Sequence, residues 1–193
     1  SSLVVYDCLG IFSSPRVWWM FKAMGFENIA VLDGGLPAWQ EQALATENGP
    51  QREPVTAGDF IACYQSKLIC NAEEVLLATR DGQQHIVDAR PAARFAAQQE
   101  EPRAGVRAGH MPNAKNLPSE IILGDQKMRD AYQLALIFEA VAPKHNRVIF
   151  SCGSGITACI LALGATLAGY RDLSVYDGSW TEWGGSDHLP VVQ

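Results

Sequence analysis

Residues 148–159 read VIFSCGSGITAC, and the rest of the chain can be arranged around this stretch. Its first residues are apolar and β-branched, which predicts a buried strand that ends at Cys152. A Gly-Ser-Gly loop follows, and a helix-forming run then extends from Thr157 to Leu167, with Gly169 closing it. The stretch therefore predicts a strand, a tight loop and a helix, with a cysteine where the strand becomes the loop.

Cys152 has the predicted surroundings of a nucleophile. Glycines let the backbone curl so that several N–H groups point at one spot, and the helix dipole adds to their positive potential. Such a place stabilises a thiolate. The alternative is a small buried hydrophobe, but that role does not require Gly-Ser-Gly after the cysteine. The pattern therefore favours a reactive thiol.

The loop differs from the cysteine loop of protein tyrosine phosphatases. Those enzymes place an arginine after five intervening residues to hold phosphate, and Ala158 stands at that position here. The loop carries no side-chain cation of its own. It therefore suits a neutral or singly charged sulfur group better than a phosphate dianion.

Composition narrows the class of protein further. The net charge of -6 argues against nucleic acid or an anionic membrane as a partner, and no apolar run is long enough to span a bilayer. The first residues predict a strand rather than a signal peptide. The five cysteines show no C-x-x-C spacing, so we expect no metal site and a reducing compartment, either the cytoplasm or the mitochondrion.

Residues 1–45 repeat the pattern of the C-terminal stretch without a gap, which indicates two copies of one domain. They predict a strand at 3–6, a helix at 16–24 and a strand at 28–32. The aligned pairs are Tyr6 and Phe150, Cys8 and Cys152, Gly25 and Gly169, Val31 and Val175, Asp33 and Asp177, Gly34 and Gly178, and Trp39 and Trp183.

The two copies differ in length before the cysteine. The second has about ninety residues there and the first has almost none, so we expect the front half of the first copy to be absent. We expect a further segment or a second chain to complete its sheet, because unpaired apolar strand edges are unfavourable. The predicted organisation is the C-terminal half of a first domain at 1–45, a polar Pro- and Gly-bearing linker at 46–57, and a second, catalytic domain at 58–193.

The first copy is predicted to be inert. Cys8 is followed by Leu9, Gly10, Ile11 and Phe12 instead of Gly-Ser-Gly. We expect these bulky residues to fill the cup of N–H groups that is open around the second cysteine.

Strands and helices alternate in the second copy. Asn71 predicts the cap of a helix over 72–79, residues 85–88 predict a strand, and Asp130 precedes a helix over 131–141. This alternation implies an α/β fold with a mostly parallel sheet and helices on both faces. Cys152 then lies at the carboxyl end of a strand, where such folds bind ligands.

A polar loop over 96–109 carries Arg103 and Arg107. Its arginines can bind an anionic substrate, or the loop can be a solvated surface with Glu100 and Glu101 as partners. Composition alone slightly favours the solvated surface. His110 lies beside glycine and proline, and we expect it to tie loops together by hydrogen bonds.

Four motifs together are specific: DAR at 88–90, GHMPNAKN at 109–116, the Cys152 loop, and YDGSWTEW at 176–183. In these residues the chain resembles the rhodanese family, and its paired copies resemble the two-domain sulfurtransferases of that family, over nearly the whole length. Residues 152–158 resemble the loop of members that use 3-mercaptopyruvate. Members that use thiosulfate usually carry Arg-Lys where Gly153 and Ser154 stand here.

The resemblance implies a mechanism and a site. Sulfur passes from 3-mercaptopyruvate through a Cys152 persulfide to a thiol such as thioredoxin, or to cyanide, with release of pyruvate and without metal or organic cofactor. Ser154 is implied in a proton relay to a histidine and an aspartate that belong to the absent front half. The implied residues are catalytic Cys152 and Ser154, and substrate-binding Arg94, Arg103, Gly153, Gly155, Ile156 and Thr157.

Two other functions stay open. One is a thiosulfate sulfurtransferase, against which the uncharged Gly153–Ser154 pair speaks because thiosulfate is a dianion. The other is a non-catalytic rhodanese-like binding module in which Cys152 is idle.

Overall fold

A computed structural model describes residues 2–50 and 57–193. Positions 51–56 of the predicted linker lie outside the described residues. The helices are α1 (Ser14–Ala23), α2 (Gly35–Glu41), α3 (Ala72–Asp81), α4 (Ala92–Phe95), α5 (Ala131–Val141), α6 (Thr157–Leu167) and α7 (Ser179–Gly185). The strands are β1 (Leu3–Val5), β2 (Ile29–Val31), β3 (Ile69–Cys70), β4 (His85–Asp88), β5 (Lys115–Asn116), β6 (Leu123–Gly124), β7 (Lys127–Met128), β8 (Val148–Ser151) and β9 (Leu173–Tyr176).

The main sheet belongs to the second copy. It has five strands in the order β3-β9-β8-β4-β5, and every neighbouring pair is parallel. All four residues of the central strand β8 are buried, as expected for a strand with an unbroken apolar run. The prediction of a mostly parallel sheet is confirmed.

Helices cover both faces of this sheet. On one face α5 and α6 pack over a core that includes Phe138, Phe150 and Leu161. On the other face the side chains of Trp180 and Trp183, from α7, pack with Ile149 of β8. Each layer therefore buries one apolar face of the sheet, as the alternating pattern predicted.

Local sequence signals explain where several elements begin. Asn71 and Glu74 form a capping box at the start of α3, because each side chain accepts a hydrogen bond from the other residue's backbone N–H. Asp130 caps α5 through the N–H of Gln133 at 2.9 Å. The predicted bounds of α5 and α6 match the structure, and α3 extends two residues beyond the prediction.

The first copy forms a smaller unit that packs against the second. Its strands β1 and β2 pair in parallel, and α1 lies against α6 of the second copy. The two tryptophans of α1 are buried there, and Trp19 donates a hydrogen bond to the carbonyl of Leu68 at 3.1 Å. Among the described residues β1 pairs with β2 alone, and Val4 is 63% exposed.

None of the helices within residues 2–50 and 57–193 has the length and apolar character that a bilayer crossing requires.

Candidate active site

Cys152 directly follows β8 and is almost completely buried, with 2% of its surface exposed. Its backbone is held by the first turn of α7. The N–H of Cys152 donates to the Ser179 hydroxyl at 3.2 Å, and its carbonyl accepts from the N–H of Trp180 at 2.8 Å. The position of the thiol therefore depends on α7 as well as on β8.

The loop after Cys152 needs glycine at position 155. Gly155 has φ of +78°, and a Cβ there would lie 3.0 Å from the Asp177 carbonyl oxygen and 3.1 Å from Nη1 of Arg16. Its own carbonyl accepts hydrogen bonds from the Cys159 thiol at 3.2 Å and from Arg16 at 3.4 Å. This close packing fixes the loop that connects Cys152 to the start of α6.

Arg94 lies beside the loop. One of its terminal nitrogens, Nη2, is 3.3 Å from where a Cβ on Gly153 would be, so the absence of a side chain at 153 lets the guanidinium approach. Arg94 also pairs with Glu101, through Nε to Oε1 at 3.3 Å and through Nη2 to Oε2. The guanidinium is partly exposed, whereas the carboxylate is 4% exposed.

Arg103 is connected to Gly153 through the side chain of Thr181. It donates to the Thr181 hydroxyl at 3.1 Å, and that hydroxyl donates to the Gly153 carbonyl at 2.6 Å. Arg103 is exposed. The two predicted arginines are therefore brought to one place, around Gly153 and next to Cys152. Thr181 connects Arg103 to the loop and lies within the YDGSWTEW motif. Neither its residue type nor its position in the sequence marks it as a site residue.

A buried ion-pair network supports Arg94. Arg90 is fully buried, donates to Asp88 through Nε at 2.9 Å and Nη2 at 2.7 Å, and donates to Glu101 through Nη1 at 2.8 Å. Its guanidinium also lies 4.2 Å from the ring centre of Trp180. The interpretation of this region as a solvated charged loop is wrong for Glu101, which is buried between two arginines.

Two other residues of this region have structural contacts. Arg107 donates to four backbone carbonyls near the end of the chain, those of Trp183, Gly184, Ser186 and Leu189. His110 donates from Nδ1 to the Phe95 carbonyl at 2.9 Å and stacks on the Phe95 ring. The prediction that His110 ties loops together is confirmed.

The remaining predicted site residues line the outer side of the loop. Ser154 is exposed, and Ile156 and Thr157 are partly exposed. Their predicted roles in the proton relay and in substrate binding stay predictions.

Cys159 lies in the first turns of α6 with its thiol directed at the loop, and it is fully buried. Burial raises the pKa of Cys159 to about 12, although the neighbouring Arg16 guanidinium acts in the opposite direction. Cys159 therefore stays a neutral thiol near pH 7, and it is a packing residue and not a second nucleophile.

In the first copy, the carboxylate of Asp7 binds the backbone N–H groups of the cysteine loop. The Asp7 carboxylate accepts hydrogen bonds from the N–H groups of Leu9 at 2.8 Å and of Phe12, Ser13 and Ser14 at 2.9 Å. Burial acts to raise the pKa of Asp7, but these hydrogen bonds outweigh it and lower the pKa below its ordinary value.

The expected reason for an inert first loop is therefore wrong. Leu9 is 64% exposed and Phe12 is also exposed, so these bulky side chains point away from the cup. Ile11 is buried, but in the core shared with α1 and α6. An internal carboxylate occupies the place that we assigned to apolar side chains.

The described residues contain no group of three or more His, Cys, Asp or Glu side chains that could hold a metal ion.

The chain is similar to known proteins in both sequence and structure. The family model described as "Rhodanese-like domain" matches residues 1–42 and 71–186. A 3-mercaptopyruvate sulfurtransferase of Escherichia coli (strain K12) is 38% identical over 190 residues, which are 98% of this chain and 67% of that protein. A 3-mercaptopyruvate sulfurtransferase of Rattus norvegicus is 37% identical, over 94% of this chain and 62% of that protein.

A solved structure gives the same picture. The crystal structure of SseA from Escherichia coli, described as a 3-mercaptopyruvate sulfotransferase with the rhodanese fold, superposes with a TM-score of 0.81 at 35% identity. The match covers 93% of this chain and 67% of that chain. The chain thus spans about two thirds of the length of the relatives that it matches.

Proposed function

This chain belongs to the rhodanese-like domain family, and from that premise we propose that it transfers the sulfur of 3-mercaptopyruvate to a thiol or cyanide through a persulfide on Cys152. One observation carries the assignment to this site. The Cys152 loop has no cation of its own, while Arg94 and Arg103 approach it at Gly153. A cysteine with two arginines beside it suits a substrate that has its sulfur and its carboxylate at opposite ends.

The first step forms the persulfide. The Cys152 thiolate attacks the sulfur of 3-mercaptopyruvate, so that an S–S bond forms and the C–S bond of the substrate breaks. The electron pair of that bond stays with the carbon and gives the enolate of pyruvate, which then takes up a proton. Loop N–H groups and the N-terminus of α6 stabilise the sulfur anion during this step.

The arginines hold the other end of the substrate. Arg94 and Arg103 donate charge-assisted hydrogen bonds to the carboxylate and the keto oxygen of the 2-oxo acid. Glu101 keeps the Arg94 guanidinium oriented, because it is buried and is itself held by Arg90. Arg103 is exposed and has only the Thr181 hydroxyl as a side-chain partner among the described residues, so it can turn onto the substrate at little cost.

The second step returns the thiolate. An acceptor thiol, such as that of thioredoxin, attacks the outer sulfur of the persulfide and leaves with it, and cyanide does the same with release of thiocyanate. Ser154, at the exposed side of the loop, serves the proton transfer that these two reaction steps need. Gly153, Gly155, Ile156 and Thr157 supply backbone around the persulfide. The site needs no metal or organic cofactor for either step.

We infer that a further polypeptide segment covers the first copy. Its strand β1 has one free edge among the described residues, and Val4 and Tyr6 are more than half exposed. A segment of the same protein or a second chain that pairs with β1 would cover these side chains and would bring the partners of Ser154. The proposed domains are a first copy at 1–45, a linker at 46–57 and the catalytic copy at 58–193.

The proposed place of action is the cytoplasm, with the mitochondrion as the alternative. The partners are a 2-oxo acid and an acceptor thiol, and neither nucleic acid nor a membrane is among them.

The test is to measure the intact mass of the protein before and after incubation with 3-mercaptopyruvate, and then to add cyanide. We expect the mass to rise by one sulfur atom, and the gain to disappear as thiocyanate is released. A Cys152→Ser variant treated in parallel should gain nothing. No gain in the unaltered protein would show that it is a binding module with an idle cysteine.

Thiosulfate is the second candidate donor, because the arginines also attract a dianion. Competition between thiosulfate and 3-mercaptopyruvate for the Cys152 thiolate decides between them. A higher kcat/KM for thiosulfate would make thiosulfate the substrate.

A further inference from the structure

Arg16 belongs to the first copy, yet its side chain ends at the catalytic loop of the second. Its Nη2 forms an ion pair with Asp177 at 2.5 Å, and its Nη1 donates to the Gly155 carbonyl at 3.4 Å. It also contacts the Cys159 thiol. Burial acts to lower the pKa of Arg16, but the hydrogen bond that Arg16 donates to Asp177 and the negative charge of that carboxylate contribute to a net rise above its ordinary value. The guanidinium is therefore a permanent cation at this place.

These contacts join the two segments that hold Cys152. Gly155 lies in the loop that follows the cysteine, and Asp177 directly precedes the turn into α7. The first residues of α7 bind the backbone of Cys152, because the Ser179 hydroxyl accepts from its N–H and the N–H of Trp180 donates to its carbonyl. A change at Arg16 would therefore reach Cys152 from both sides.

Arg16 is itself held firmly at its base. It is in the first turn of α1, and its N–H donates to the Ser13 carbonyl at 3.0 Å. The N–H groups of Ser13 and Ser14 are bound by the Asp7 carboxylate. The closed loop of the first copy thus fixes the start of α1, and α1 presents the arginine to the second copy.

The repeat does not require this arrangement. The residue of the second copy that aligns with Arg16 is Ile160, which is buried in the core. The arginine is therefore an addition of the first copy and not a residue that both copies share.

We propose that Arg16 is a positioning residue of the catalytic loop, so that the catalytically silent copy acts on sulfur transfer by holding the loop of the other copy. The proposal rests on the proposed function, since it assumes that Cys152 is the nucleophile. Arg16 touches neither the substrate-binding arginines nor Gly153 in the contacts that the structure shows. Its loss should therefore lower kcat and leave KM for 3-mercaptopyruvate nearly unchanged.

The test compares Arg16→Ala, Arg16→Lys and the control Lys22→Ala. Lys22 lies in the same helix and pairs with Glu27, away from the loop. The side chain of Arg16 is 24% exposed and that of Asp177 is 52% exposed, so water can replace the guanidinium and the fold should persist. We expect kcat of Arg16→Ala to fall by about tenfold to a hundredfold, as for a small misplacement of a reacting group.

Two further results should accompany that fall. The rate at which iodoacetamide alkylates Cys152 should drop in Arg16→Ala, because the loop amides no longer surround the thiolate. Arg16→Lys should recover part of both losses. An ammonium can bind Asp177 or the Gly155 carbonyl, but it lacks the planar guanidinium whose two terminal nitrogens bind both at once. Lys22→Ala should match the unaltered protein.

The outcomes separate this proposal from the proposed function. Unchanged kcat and alkylation in a folded Arg16→Ala would overturn the positioning role, and so would a fall in activity that only follows the folded fraction measured by circular dichroism. If the unaltered protein takes no sulfur from 3-mercaptopyruvate, the proposed function fails. The alkylation rates then still report whether Arg16 holds the Cys152 loop.

Discussion

The two cysteine loops of this chain occupy equivalent places in the repeat but bind different partners. Around Cys8, four backbone N–H groups converge on the carboxylate of Asp7, and the cysteine is exposed. Around Cys152, the cysteine is buried, and two arginines lie against the loop. The residue that aligns with Asp7 is Ser151, whose hydroxyl is buried without a hydrogen-bond partner among the described residues.

This difference shows how one loop geometry serves two purposes. N–H groups at a helix start attract an anion, and a carboxylate within the chain satisfies them permanently. The first loop thereby becomes a rigid base for α1. At the equivalent place in the second copy Ser151 supplies no carboxylate, so no side chain at that position competes with the proposed persulfide.

The largest effect should come from replacing each of the two cysteines by serine in separate variants. We expect Cys152→Ser to abolish turnover of 3-mercaptopyruvate, because a hydroxyl cannot form the persulfide. Cys8→Ser should keep most of the activity, since the anion place beside it is already occupied by Asp7. Steady-state turnover of both variants is the measurement. Similar losses in the two would contradict the assignment of the nucleophile.

The next effect concerns the arginines that only the second loop has. Arg94→Ala and Arg103→Ala should each lose roughly 2–4 kcal/mol of transition-state stabilisation, or about thirtyfold to a thousandfold in kcat/KM. Lysine at either place should recover little, because an ammonium lacks the planar fork. Iodoacetamide alkylation of Cys152 serves as the control and should barely change. Alkylation that falls together with turnover would mean that the arginines act on the thiolate and not on the 2-oxo acid.

A smaller effect is expected on substrate choice. Replacing Gly153 and Ser154 by Arg and Lys should shift the ratio of kcat/KM toward thiosulfate, because two added cations favour a dianion. The structure adds a reason, since a Cβ at position 153 would lie 3.3 Å from Nη2 of Arg94, and the guanidinium would have to shift. The ratio for the two donors, measured on the same preparation, is the readout. An unchanged ratio would show that the loop does not determine specificity.

The smallest effect should appear in stability. Asp7→Ala leaves several N–H groups of the first loop without their acceptor, and we expect a loss of about 1 kcal/mol, because solvent reaches much of this loop. The folded-state pKa of Asp7 is lowered, so its contribution is complete above the unfolded value of about 3.9 and is lost as the pH falls through the folded value. Urea unfolding at neutral and acidic pH should show the two proteins converging in acid, with Cys8→Ser as control. A constant difference at all pH values would exclude the carboxylate as the cause.

The α/β fold and the repeat could be predicted from the sequence because both rest on local patterns. The apolar run of β8, the caps Asn71 and Asp130 and the glycines of the Cys152 loop act within a few residues of themselves. The family resemblance added Arg94 and Arg103, and Arg103 lies in a segment whose composition alone slightly favours a solvated loop. Local signals therefore determined the elements, their order and the position of the thiol.

Only the tertiary structure decided which partners surround the two loops. Glu101 could be a solvated carboxylate until the fold buries it against Arg90, and Arg16 reaches Gly155 from the other copy. Asp7 stands next to its cysteine in the sequence, but its role depends on the backbone turning back toward it from Phe12 to Ser14. Hydrogen bonds and ion pairs depend on distances of a few ångströms between residues that can be far apart along the chain, and a linear pattern does not contain those distances.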